Sequence, residues 1–239
     1  MRIGIDARLV FYQKAGIGQY ISRLVQALAE ADRQDEFVIY QSRRDSSRLV
    51  DAPNFIRRSL LTPSHHRFER QALSVELFAD GLDMLHSPDF IQPAYIRFPS
   101  VITVHDLAFL LYPRFLTKQS ARYYGQVDLA SRQAKQIVAV SQSTKRDIIR
   151  LLGVPADRVT VIYEAANPIF RPLDRHQASR YVAERYGIED KFILFVSTIE
   201  PRKNLPTLLQ AFRRLQDLHH TKVKLVVAGH KGWLVDSTT

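Results

Sequence analysis

The hexapeptide Ile199-Glu200-Pro201-Arg202-Lys203-Asn204 places two cationic side chains between an apolar run, Phe192–Val196, and a helix-like segment at 205–215. A strand ending in a basic loop that feeds a helix is chemically an anion site. The first helical N–H groups point outward unpaired, and the backbone dipole adds positive potential there. With Arg202 and Lys203 at that spot, the ligand it suits is a diphosphate. Ser197, Glu200 and Asn204 belong to the same loop and are counted with them as binding residues.

A second pair of interest, His105-Asp106, follows directly on the apolar run 101–104. Open parallel sheets put their ligands at the carboxyl ends of such strands. An imidazole there could hydrogen-bond a sugar hydroxyl while Asp106 orients it. Equally, the pair could do no more than stabilise a turn. Gly16-Ile17-Gly18-Gln19-Tyr20 opens the first helix, where glycines let a backbone approach a phosphate or sugar closely. Ile21 stands where a dinucleotide fingerprint has its third glycine, and residues 9–15 separate the strand from the glycines. That spacing argues against a nicotinamide cofactor and leaves a plain β-α loop as the alternative.

Other polar clusters carry less. Ser141 or Ser143 suits a helix cap. The segment 117–135 holds Lys118, Arg122, Arg132 and Lys135 against Asp128, with Tyr123 and Tyr124 between them. It reads first as a solvated helix face. A basic, aromatic helix also suits peripheral contact with an anionic membrane carrying a lipid-linked acceptor. The pairs His65-His66 and His219-His220 lack a third ligand nearby in sequence, so no metal site is expected.

The elements that must position these groups alternate short apolar runs with longer periodic ones, the mark of a parallel α/β sheet. Strands are expected at 2–7, 36–41, 54–59, 84–86, 100–104, 136–140 and 159–163, and helices at 18–31, 117–135 and 143–152. In the first helix Ile21, Leu24, Val25 and Leu28 share one face. Residues 164–174 hold Pro168 and Pro172 without periodicity and read as a linker. The expected division is therefore 1–170 and 171–239. The second part contains a helix at 177–186, a strand at 192–196, a helix at 205–215 and a strand at 224–228, the start of a Rossmann-like domain rather than a whole one.

Composition narrows the function classes. The 239 residues include no cysteine, which excludes disulfides, thiolate catalysis and cysteine-based zinc sites. No run approaches the ~20 apolar residues of a membrane span, and the N-terminal apolar stretch is too short for a signal peptide. A cytoplasmic location, peripheral at the inner face of the plasma membrane, is the expectation. The net charge of +10 is densest in 171–239, where 12 basic residues face 7 acidic ones. Without a basic-aromatic strand signature or zinc-finger spacing, anionic small substrates or lipid headgroups explain it better than nucleic acid.

In chain order, Ile5-Asp6-Ala7-Arg8, Gly16-Ile17-Gly18-Gln19-Tyr20, His105-Asp106-Leu107, Val140-Ser141-Gln142-Ser143 and Glu200-Pro201-Arg202-Lys203-Asn204 resemble the retaining GT-B glycosyltransferases of family 4, or group 1. The resemblance covers nearly the whole chain. It implies a nucleotide-diphosphate sugar held between two Rossmann-like lobes, with Arg202 and Lys203 on the diphosphate, Gly16 and Gly18 beside phosphates and acceptor, and His105 on the transferred sugar. It further implies a mannose-like or rhamnose-like hexose, a glycan or lipid-linked acceptor, and no metal or other cofactor. Ser197 stands where relatives often carry glycine. The family's later glutamate pair has no matching positions, so the chain is expected to be a truncated form of doubtful independent activity. Its unfinished sheet edge is expected to favour a homodimer. The alternative reading is a non-catalytic remnant that binds an acceptor glycan, a lipid or a partner subunit.

Overall fold

The computed structural model describes residues 1–12, 16–115, 121 and 123–230. The chain divides into two compact units, Met1–Asn167 and Pro168–Thr239.

In the first unit seven strands form one sheet: β1 (Arg2–Asp6), β2 (Glu36–Ser42), β3 (Phe55–Leu60), β4 (Met84–Ser87), β5 (Ser100–Val104), β6 (Gln136–Ala139) and β7 (Val159–Val161). Their order is β3-β2-β1-β4-β5-β6-β7, and every pairing is parallel. The winding direction reverses between β1 and β4, which makes that position the topological switch point, the place where such sheets open a crevice. Ile5 pairs with His86, so Asp6 and Ser87, the last residues of β1 and β4, end their strands side by side.

A side-chain period of two gives the sheet two apolar faces. Phe37 and Ile39 of β2 pack with Ile5, Ile21, Val25 and Phe55 on one face. Val38 and Tyr40 pack with Leu60, Leu73, Leu82 and Leu85 on the other. A third cluster joins Ile102, Val104, Ile137 and Ala139 of the other half-sheet to Val127, Ala130, Ile148 and Leu152. Each fully buried aliphatic side chain here contributes about 1.5–3 kcal/mol. Gly4 is required by this packing: a β-carbon there would lie 2.7 Å from a Leu82 methyl and 2.9 Å from the Tyr40 ring.

Helices cover both faces. Among the described residues they include α1 (Leu9–Tyr12), α2 (Gly16–Ala31), α3 (Glu69–Glu76), α4 (Ala108–Leu111), α5 (Val127–Gln133) and α6 (Gln142–Leu152). The α2 helix buries Gly18, Ile21, Val25 and Ala29, spaced by three and four. Ser141 caps α6 by accepting from the Thr144 amide at 3.0 Å, and Gly153 ends it in the left-handed conformation, φ 64°.

Three details differ from the sequence reading. The first helix, expected over 18–31, begins two residues earlier, so Gly16 as well as Gly18 lies in its first turn, and residues 9–12 are helical. The α3 helix was not anticipated, because Glu69 and Arg70 occupy buried positions that would ordinarily be apolar. Of the long helix expected at 117–135, α5 spans 127–133, while 117–120 and 122 lie outside the described residues.

In the second unit, α7 (Arg175–Tyr186) is capped by Asp174 and ends at Gly187, φ 66°. Parallel strands β8 (Phe192–Val196) and β9 (Lys224–Ala228) flank α8 (Leu205–His219). Gly229 adopts φ 155° against the Ser197 carbonyl, where a β-carbon would approach to 1.7 Å, so no other residue fits. Among the described residues of this unit only Glu200, 5% exposed, is buried.

Candidate functional site

At the switch point Arg8 follows the end of β1 by two residues and is buried. Its guanidinium is 1% exposed and is divided between two carboxylates. Nε and Nη2 reach Asp6 at 2.9 and 2.7 Å, Nη2 also reaches Glu69 at 2.7 Å, and Nη1 donates to the Thr62 carbonyl at 2.9 Å. Burial works against this charge, but Asp6 and then Glu69 outweigh it and hold the guanidinium above its ordinary range. Burial pushes the Glu69 carboxyl up to about 7, against the pull of Arg8. Its second oxygen accepts from the His65 amide at 2.8 Å.

The end of β4 forms the opposite wall. Ser87 is 1% exposed, and Asp89 follows two residues later. One Asp89 oxygen accepts from the Phe90 amide at 2.8 Å and the other from the Tyr123 hydroxyl. Burial raises the Asp89 carboxyl and lowers the His65 imidazole. The His65 ring packs at a 36° tilt against Tyr123, 3.9 Å between centroids, with Nε2 4.0 Å from Asp89. His65 takes a positive φ of 66°, uncommon for a non-glycine residue and a mark of a held position. These groups line a cavity of about 20 Å³.

His105 sits just past β5, clamped on all sides. Nδ1 lies 2.9 Å from Glu164 and Nε2 lies 2.9 Å from the Pro88 carbonyl. Tyr20 of α2 meets the ring edge-on at 5.0 Å, and Thr144 of α6 donates to the His105 carbonyl at 3.3 Å. Both ring nitrogens thus face oxygen acceptors. A sugar hydroxyl reaches this imidazole only by displacing one of them, and Glu164, 45% exposed, is the more accessible. Behind it, His86 bonds Thr103 at 2.9 Å, and burial, helped by the His105 charge, lowers its imidazole to about 4.

In the second unit the loop from Ser197 to Asn204 brings together five of the expected binding residues. The Ser197 amide donates to Ala228 at 3.0 Å, which continues the β8–β9 pairing. Residues Pro201–Lys203 form a 3₁₀ turn, and Asn204, φ 53°, leads into α8 while its side chain accepts from the Thr207 hydroxyl at 2.8 Å. Arg202 pairs with the buried Glu200 carboxylate at 2.7 Å. Lys203 makes no ion pair among the described residues and is exposed. Charge available to an incoming anion therefore comes chiefly from Lys203 and the open end of α8.

Sequence reasoning placed His105 on a strand end and Tyr20, with Gly16 and Gly18, on the helix beside it. It passed over Glu164, Glu69, Ser87 and Asp89 as site residues. The signal for Ser87 and Asp89 was present, since they follow an apolar strand as His105 does. Glu69 offered none, because its partner Arg8 lies 61 residues away. Among the described residues no cluster of three groups able to hold a metal occurs, and no helix is long and apolar enough to cross a membrane.

Against known proteins, the family description Glycosyltransferase Family 4 matches residues 15–168, and Glycosyl transferases group 1 matches 183–237. O-antigen chain mannosyltransferase B of Escherichia coli is 27% identical over 252 residues, covering 98% of this chain and 65% of its own length. The serotype-specific mannosyltransferase WbdA of Escherichia coli is 31% identical over 137 residues, covering 56% of this chain and 17% of its own. The chain thus spans less than two thirds of these relatives. Among solved structures, Alr3699/HepE of Anabaena with UDP and glucose gives a TM-score of 0.64 at 16% identity, covering 98% of this chain and 62% of that one. WaaG, a glycosyltransferase involved in lipopolysaccharide biosynthesis, gives 0.66 at 11% identity, covering 97% and 64%. These neighbours share the GT-B fold class. With a family match across residues 15–168 and a seven-stranded parallel sheet of the same class, the chain belongs to glycosyltransferase family 4.

Proposed function

We propose that this chain supplies the acceptor-side domain and part of the donor-binding domain of a hexosyltransferase acting in polysaccharide assembly. The observation that carries the reading is the loop from Ser197 to Asn204, where an exposed Lys203 and a helix start converge directly after a parallel strand. Such a loop suits the diphosphate of a nucleotide sugar. The mannosyltransferase names of the relatives and the UDP held by a structural neighbour support the same ligand class, with a mannose-like hexose.

Breaking the anomeric C–O bond builds negative charge on the β-phosphate oxygen and positive charge on the sugar ring. Lys203, Arg202 and the α8 amides meet the first of these charges, and a preorganised donor of this kind is worth about 10²–10³ in rate. The acceptor hydroxyl then attacks the anomeric carbon while its proton passes to the departing phosphate oxygen on the same face, which retains configuration. This route assigns the leaving-group charge to protein cations and calls for no metal. The acceptor is a glycan or a lipid-linked sugar.

The test is binding of GDP-mannose and UDP-glucose to the 239-residue chain and to Lys203→Ala, followed by transfer to an oligomannoside with product anomers read by NMR. Donor binding that Lys203→Ala weakens supports the reading, and an α-linked product from an α-linked donor supports retention. Failure of every nucleotide sugar to bind overturns the reading.

A further inference from the structure

The crevice at the switch point has a builder's signature that the donor loop does not explain. Ser87 is 1% exposed and lines the 20 Å³ cavity, yet its hydroxyl has no hydrogen-bond partner among the described residues. The buried Nε2 of His65, on the same cavity, has none either. A buried polar atom left unpaired costs about 1–3 kcal/mol, and two of them on one small cavity point to a ligand that pairs both.

Size and charge define that ligand. A volume of 20 Å³ holds one water-sized group, so what enters is a single hydroxyl rather than a phosphate. Charge agrees with size: Arg8, the only lysine or arginine among the described residues of the cavity wall, is already shared by Asp6 and Glu69 at 2.7 Å, and Asp89 adds a third carboxyl. An anion would meet more negative than positive charge here. A bare cation would meet the Arg8 guanidinium behind the carboxylates. A neutral hydroxyl can accept from Ser87 Oγ–H and donate to His65 Nε2 or to Asp89, whose oxygens each keep a lone pair beyond the bonds from Phe90 and Tyr123.

We propose that Ser87, His65 and Asp89 form a one-hydroxyl slot that selects the acceptor sugar by the orientation of a single ring hydroxyl or hydroxymethyl group. Its description as an acceptor slot rests on the glycosyltransferase reading above. Packed against Tyr123 and fixed in the left-handed region, His65 presents Nε2 in one direction, which suits discrimination between epimers. A site that pairs a substrate hydroxyl rejects the analogue lacking it far better than an apolar pocket rejects an extra group.

The test uses the 239-residue chain and methyl α-pyranosides that differ in the configuration of one hydroxyl, with the His65 ring resonances followed by NMR and assigned from His65→Asn. Asparagine tolerates positive φ, so that variant keeps its backbone. The expected result is that one epimer shifts the His65 ring and that Ser87→Ala weakens this binding about tenfold, while GDP and UDP affinities stay unchanged. Ser87 and His65 lie on different segments, so a folding defect in one variant leaves the other informative. Equal binding of all epimers, binding untouched by Ser87→Ala, or a His65 response to nucleotide instead of glycoside overturns the slot. Glycoside binding without any nucleotide-sugar binding leaves the slot standing and removes the transferase reading. Nucleotide binding without a glycoside response does the reverse.

Discussion

Lys203 and Arg202 are neighbours of equal charge with different prospects. Arg202 spends part of its charge on Glu200, 2.7 Å away and 2% exposed at the side chain, whereas Lys203 has no such partner among the described residues. Removing Lys203 should therefore lower transfer by about 10² with little effect on folding. Removing Arg202 strands a buried carboxylate and should lower the unfolding midpoint of the second unit as well. Kinetics and thermal denaturation of the two alanine variants separate these effects, and equal stability of both would contradict the assignment. The types of these residues were legible from the motif, but the ion pair was not. Sequence spacing of two does not say which way Glu200 turns, since that depends on whether the loop buries it.

At the scale of elements, local chemistry was a good guide wherever it acts within one turn. Ser141 and Gly153 bracket α6 as their types suggest, because a hydroxyl before a helix and a glycine after it satisfy groups a few residues away. Ser141→Ala should cost about 1 kcal/mol of stability, measured by denaturant unfolding of the variant beside the parent. The strands Ser100–Val104, Phe192–Val196 and Lys224–Ala228 have the expected bounds, being short apolar runs between polar breaks. The α3 helix escaped notice for the opposite reason. Its first turn buries Glu69 and Arg70 instead of apolar residues, and their partners, Arg8, Gln92 and Gln133, come from the turn after β1, the segment before β5 and the end of α5.

Across the whole molecule two buried groups pull stability in opposite directions with pH. Glu69 is raised from 4.5 to about 7, so the folded state holds a proton that the unfolded chain releases, and stability falls as pH rises from 4.5 to 7. His86 is lowered from 6.5 to about 4, so the unfolded chain takes the proton first, and stability falls as pH drops from 6.5 to 4. Each is on the order of 3 kcal/mol, and between 4.5 and 6.5 they offset one another. Glu69→Gln should therefore make the protein more acid-sensitive, and His86→Asn less, in urea titrations across that window; unchanged slopes in both would refute the pair. Burial also differs between the units: apart from Glu200, the described residues beyond 167 are partly or wholly exposed, Leu194 at 54% and Val196 at 69%. Limited proteolysis should cut after residue 167 first and leave a resistant fragment of residues 1–167. Early cleavage within β1, β2 or β4 would contradict this. Strand and helix alternation, the caps and the basic loop follow from neighbours in the chain, so the order of residues was enough to reveal the α/β class and the family. The reversal of winding at β1 and β4, and with it the meeting of Arg8, His65, Glu69, Ser87 and Asp89, required the folded sheet. Contacts between residues dozens of positions apart are decided by which strands pair, and pairing is chosen by the burial of the entire core rather than by any local pattern.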